Sequence, residues 1–262
     1  MQKNDCLNRV GATMVEDPER ERAAKVGNWV LGVSLFFLIS FFFAPMTLKE
    51  GSVPELSGRA NAFDYAYHEG WGSWGNGNHS GEIGHDQPSK GLFAWSEVNF
   101  YAGFTYAFGD LNCHQKHERS WELNGNQLPV CARDVGIFLG LAIGGWIFSR
   151  YGKNRWTVTD SFLSVFGDSR LEPIYLRGLR KRAAWSIAAL GVIPIGIDGF
   201  TQMLTSYEST NPIRLLTGAA FGIMLAILFS AMLSSRPKDY EGRPELVILP
   251  AGARLARSVE EE

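Results

Sequence analysis

The chain has little cysteine, no charge excess and none of the short signatures that name a soluble enzyme. Three cysteines in 262 residues, with no C-x-x-C pair, exclude a disulfide-built scaffold and haem attachment through C-x-x-C-H. Twenty-five Lys and Arg stand against 27 Asp and Glu, a net charge of −2 with no long basic run, so nucleic acid is excluded as the main partner. No repeat recurs at solenoid spacing, and no G-x-S-x-G supports a serine hydrolase. Mean hydropathy is an ordinary −0.07. That average conceals clumping: the apolar residues sit in long blocks, which excludes a soluble single domain.

Four blocks read as membrane spans. Trp29–Met46 has no ionisable residue and is rich in phenylalanine; at 1.5 Å per residue it nearly covers a hydrocarbon core of about 30 Å. The preceding segment mixes acids with bases (EDPERERAAK), which fits a retained anchor better than a cleaved signal peptide. Val135–Ser149, Ala183–Leu204 and Leu215–Ser235 follow. The expected fold is therefore an all-α polytopic membrane protein with four transmembrane helices, an irregular outer loop and an interfacial helix.

Charge between the spans predicts orientation. Lys and Arg number five in the head (1–26), eight in Arg150–Arg182 and five after Ser235, against six spread over 47–133. Positive-inside bias places head, basic loop 150–182 and tail 236–262 in the cytoplasm of a multi-pass cell-membrane protein, with 47–133 extracytoplasmic. The organisation is then head 1–26, first span 27–46, outer Gly/His/Trp-rich loop 47–133, and three spans within 134–235. Gly91–Leu111 is a possible fifth span, but it carries Glu97, Asn99 and Asp110, and inserting it breaks the charge pattern. It is expected to lie in the interface, aromatic face down. The stretch 157–182 is expected to hold a short amphipathic helix ended by the basic cluster Arg180–Arg182, which would anchor the next span at the headgroups. Gly136, Gly140 and Gly144 recur every four residues and predict close helix packing.

Unusual chemistry collects in the outer segment, which holds all five histidines and two of the three cysteines. Cys113-His114 and Cys131-x-x-Asp134 offer thiolate, imidazole and carboxylate, the usual donors for zinc or another divalent metal. The turn-like Leu123-Asn124-Gly125-Asn126 between them predicts a hairpin that folds the halves together. A Cys113–Cys131 disulfide is the competing reading, since an oxidising compartment favours it. His117 is either a further donor or a surface residue, and His68, His79 and His85 read as solvated. Val135–Ser149 is only about 22 Å of helix, so the crossing must start earlier or the bilayer must thin, and Cys131, Arg133 and Asp134 are drawn into the bundle mouth. In the third span Asp198 and Gln202 share one helix face; an acid there usually faces the bundle interior and has a function. Glu208, Asn211 and Arg214 follow at the same outer end. Segments far apart in sequence thus converge on one surface.

These blocks, Cys113-His114-Gln115, Arg119-Ser120, Gln127 through Asp134, Gly136, Asp198-Gly199 with Gln202, and Glu208-Ser209-x-Asn211 with Arg214, resemble DUF2085, a family of prokaryotic integral membrane proteins. The resemblance covers roughly residues 105–235. It implies a membrane protein and carries no assigned activity. It also implies a further cysteine at the position where this chain has Asp134, a harder oxygen donor that lowers affinity or shifts metal preference. His117 and the Gly/His-rich loop lie outside the pattern.

Two functions follow as expectations. One is a membrane enzyme with its site at the outer face: Cys113, His114, Cys131 and Asp134 hold a metal, and Asp198 or Glu208 serves as acid or base. Arg133, Gln202, Asn211 and Arg214 then bind an anionic or lipid-linked substrate for hydrolysis. The other is a non-enzymatic accessory subunit whose outer loop contacts larger membrane subunits, or a homo-oligomer, with membrane lipid as the constant partner.

Overall fold

The computed structural model describes residues 18–56, 63–68, 76–77, 87–235 and 249–253. The elements are, in order, α1 (Pro18–Met46), α2 (Gln87–Lys90), α3 (Phe100–Asn112), β1 (Glu122–Leu123), β2 (Asn126–Gln127), α4 (Ala132–Tyr151), α5 (Val158–Leu163), α6 (Asp168–Leu176), α7 (Arg180–Leu204) and α8 (Asn211–Ser234). The fold is all-α, and among the described residues four helices, within α1, α4, α7 and α8, are long and apolar enough to span a membrane. Mean hydropathies of 1.3–2.1 over their most apolar windows mark the clumping read from the sequence.

The second span begins earlier than its apolar run. Cys131 is the N-cap of α4, and the helix runs 20 residues, about 30 Å and a full hydrocarbon thickness. α4 is central, flanked by α1 and α8. Its glycines make this possible. A Cβ on Gly140 would lie 2.2 Å from the Ala219 carbonyl oxygen of α8, and one on Gly222 would lie 2.2 Å from the Ile137 oxygen of α4. The two backbones touch, as small residues allow in a bundle without a hydrophobic drive between helices. α7 packs chiefly along α8. At the far end Arg20 donates to the Ser149 and Arg150 carbonyls and Arg22 to Leu233, so guanidinium groups meet the last turns of α4 and α8.

The segment 91–111 resolves into a 3-10 turn at Trp95–Glu97 and α3, whose 13 residues make about 20 Å, too short to cross. α3 leans on α1 and α4 through Phe108, whose ring lies 4.4 Å from that of Phe37 and 5.8 Å from that of Phe138, and leaves Phe100 exposed. The described parts of the preceding loop are packed: Val53, Leu56, Tyr65 and Phe93 form a core with Ala102 and Tyr106. Asp110 fastens it, accepting from the Asp64 and Tyr65 amides and the Trp95 indole. The stretch after α4 is two short helices rather than one, because Gly167 at φ +78° interrupts it. Arg180, from the basic cluster, donates to the buried Asp160 at 3.3 Å. Leu249 and Pro250 of the tail are buried beside α6; residues 236–248 and 254–262, like His79, His85 and the head up to residue 17, lie outside the described ones.

Candidate metal and anion site

Two loops must meet for Cys113 to reach Cys131, and a glycine lets them. α3 ends on Cys113, whose amide bonds the Gly109 carbonyl. A Cβ on Gly109 would sit 1.8 Å from the Pro129 oxygen, so only glycine lets the chain before Cys131 cross the helix end. Gln115, buried and in the left-handed region (φ 49°), donates to Pro129 O at 2.8 Å. Gln127 donates to Gln115 O at 2.7 Å and accepts from the Leu56 amide. The hairpin β1–β2 closes the other side, with Asn124 and Gly125 both at positive φ, as a two-residue type I′ turn requires.

Cys113, Cys131 and Asp134 each bring one donor atom, all within 4.8 Å of one another. The Cys131 amide donates to Cys113 Sγ at 3.2 Å, and Cys131 Sγ donates to Asp134 Oδ2 at 3.1 Å. Both thiols are free. Hydrogen bonding with Cys131, burial, and the negative charges of Cys131 and Asp134 push the Cys113 thiol well above its ordinary range. Three acidic groups this close cannot all ionise alone. A divalent cation removes that conflict, because it favours the deprotonated form of every ligand. The donor set therefore fits zinc or a similar ion.

The trio opens on a cavity of about 130 Å³ lined also by Asn112, His114, Lys116, Arg119, Arg133 and Arg214. His114 borders it but falls outside the three-donor cluster. Partial burial, with Arg119 and Lys116 nearby, holds the His114 imidazole below its ordinary value. Four cations thus face one carboxylate across a small space.

Asp198, Gln202, Glu208 and Asn211 do not line the cavity; they stand behind its arginines. Asp198, buried in α7, accepts from Arg133 and, at 3.0 Å, from Gln202. Arg214 reaches Gln202 Oε1 at 3.1 Å, Glu208 Oε2 at 2.9 Å and Asn211 Oδ1 at 3.2 Å. Glu208 also accepts from Arg119 at 2.8 Å. Although burial pulls its carboxyl upward, Arg119 and Arg214 outweigh that and hold it below the usual carboxylate value. Asn211 ties α8 to the loop through Ser120 O at 2.9 Å. The cysteine pair, Arg133, Asp134, Asp198, Gln202, Glu208, Asn211 and Arg214 therefore form one connected group. His117 stands apart, between Glu55 and Glu122 at 3.7 and 3.6 Å, and His68 is beside Glu97.

Sequence reasoning did not assign Lys116 or Arg119 a role, nor the buried Asn126, which donates to the Pro45 and Lys49 carbonyls and accepts from the Val53 amide. Arg119 stands in the Arg119-Ser120 block that carries the family resemblance; Lys116 carries no local signal.

A family model described as predicted membrane protein (DUF2085) matches residues 113–228, which contain every residue of this group. An uncharacterised protein of Methanothermobacter thermautotrophicus is 36% identical over 116 residues, 44% of this chain and 82% of that protein. Another, of Methanocaldococcus jannaschii, is 30% identical over 125 residues, 47% of this chain and 65% of that protein. No solved structure matches the chain. With one relative covered over most of its length, and the matched region carrying the bundle and its polar mouth, the chain belongs to the DUF2085 family of membrane proteins.

Proposed function

We propose that this multi-pass membrane protein holds a divalent metal on Cys113, Cys131 and Asp134 at its extracytoplasmic face and acts there as a metal-assisted hydrolase on an anionic, lipid-linked substrate. The observation that carries the reading is the meeting of three donors within 4.8 Å, from two loops, at a cavity walled by four cations. Bound there, a divalent ion supplies Lewis acidity. His114, at the cavity edge and outside the three-donor cluster, suits a proton acceptor better than a fourth donor. Asp198 and Glu208 act as positioning residues: each is held in ion pairs with the arginines, and Glu208, held below its ordinary value, is a weak base near neutral pH. α3, with Phe100 uncovered, lies in the interface beside the site.

The test is metal analysis of the full chain purified in detergent, followed by hydrolysis of a short-chain lipid phosphate. Stoichiometric zinc or iron, lost in Cys113→Ala and Cys131→Ala together with hydrolysis, is the expected result. A metal-free protein that co-purifies with a fixed set of larger membrane subunits would refute it and assign the accessory role.

A further inference from the structure

We infer that the cationic wall of the cavity is a subsite for a phosphate-class oxyanion, gripped by Lys116 and Arg119 and backed by Arg214 and the first turn of α4. The inference rests on the reading of this cavity as a ligand site, but it uses residues other than the metal donors. Arg133 is the weaker contributor, because Asp198 already holds it.

Four observations point the same way. Lys116 lines the cavity and has no acidic partner among the described residues. Arg119 lends one nitrogen to Glu208, which orients the guanidinium and leaves its remaining donors over. Arg214 lines the cavity and is buried, with 3% of its side chain exposed, and its Nε has no partner; a buried guanidinium with an unused N–H lacks an acceptor. Finally, Cys131, Arg133 and Asp134 at the start of α4 line the cavity and no side chain caps that start, so the positive end of a 20-residue helix borders the cavity.

The chemistry selects phosphate. A lysine point charge, an arginine fork and a helix N-terminus converge from different directions, which suits a tetrahedral oxyanion with several acceptor atoms better than a flat carboxylate. The volume of about 130 Å³ is well below that of whole-ligand pockets, roughly 300–1,000 Å³, so the cavity takes a phosphate group and leaves the remainder of the ligand outside. That group comes from a lipid head group or from free phosphate.

The experiment uses the full chain in dodecyl maltoside, a phosphate-free detergent, once chelator-stripped and once zinc-loaded. Inorganic phosphate is titrated calorimetrically in one arm and water-soluble dihexanoyl phosphatidic acid in the other, with acetate as the control anion. Phosphate or phosphatidic acid is expected to bind where acetate does not. Lys116→Gln should weaken binding about tenfold, Arg119→Gln at least as much, and Lys116→Arg should restore it. Binding of phosphate assigns the source to the aqueous ion; binding of phosphatidic acid alone assigns it to a lipid head group. Binding of neither, or undiminished binding in Lys116→Gln and Arg119→Gln, overturns the inference. Zinc retained without anion binding sinks the subsite and leaves the metal reading intact; anion binding by a protein that never takes zinc does the reverse.

Discussion

α7 is the least embedded of the long helices: of its 25 residues only Gly191 and Asp198 are buried. Its polar hold on the bundle is Asp198, which meets Arg133 of α4 directly and Arg214 of α8 through Gln202. Asp198→Asn keeps the size and one acceptor but removes the charge. The side chain of Asp198 is 5% exposed and that of Arg133 24%, so the charge removed is almost fully desolvated while the one left behind keeps some water. Breaking a wholly buried pair costs about 3–5 kcal/mol. The surviving neutral hydrogen bond and the part-exposed arginine reduce the expectation to about 2 kcal/mol. Arg133→Gln instead strands a buried carboxylate whose remaining partner is Gln202, so its loss should be larger, about 3 kcal/mol. The double variant pairs two amides and should recover about 1–2 kcal/mol of the summed loss. Equilibrium unfolding in mixed micelles, followed by tryptophan fluorescence, measures all four corners of the cycle. Single losses within about 0.5 kcal/mol of wild type, or losses that simply add, would show that the pair does not hold α7 and would refute the positioning role.

Three further outcomes are expected. Gly140→Leu drives a side chain into the Ala219 carbonyl; the forced separation of α4 and α8 should cost about 2–3 kcal/mol, read by the same unfolding assay, whereas Gly196→Leu, with open space around it, should be near neutral. Burial pushes the Asp110 carboxyl up to about 7 from an ordinary 3.8, against the lowering by the Tyr65 and Asp64 amides and the Trp95 indole. A carboxyl with a raised folded-state value contributes stability at low pH that is lost as pH rises, so the cap over α3 should loosen between about pH 4 and pH 7 and level off above, in hydrogen exchange of residues 63–68. Asp134→Cys replaces the hard donor with a thiolate and should raise zinc affinity about tenfold or more, measured by competition with a chromophoric chelator; weaker binding would argue that Asp134 is no ligand.

The spans were legible because nothing but a bilayer accommodates apolar runs of that length, and the early start of α4 followed from the shortfall of its apolar run. Asn124-Gly125 predicted the hairpin because few residues tolerate two successive positive φ angles. The every-fourth glycines were read as packing, though their partner, the Gly218–Gly222 face of α8, had to come from the structure. Asn126 was invisible for a different reason. It reads as one more turn residue, and its value lies in carbonyls 81 and 77 positions earlier, at Pro45 and Lys49, which no local pattern encodes. His114 shares the cavity with Cys113, Cys131 and Asp134, as its place beside Cys113 in the sequence suggested, while the three-donor cluster is formed by the other three residues.

The division of labour within the polar group explains how four cations can share so small a space. Burying Arg133 and Arg214 requires acids nearby, yet acids inside the cavity would repel an anionic ligand. The chain meets both demands by drawing the neutralising groups from another part of the sequence: Asp198 on α7 and Glu208 in the turn before α8 hold the arginines from behind, while the cavity itself admits only Asp134. Adding an acid within, as in Asn112→Asp at the rim, touches no ion pair but gives up the Asn112 Nδ2 bond to Phe108 O and adds a negative charge to the field that a ligand meets. If the cavity receives an anion, that single charge should weaken phosphate binding several-fold, a loss that Asn112→Ala, which gives up the same Phe108 bond, should not reproduce. If the cations serve only to hold helices together, it should leave phosphate binding unchanged.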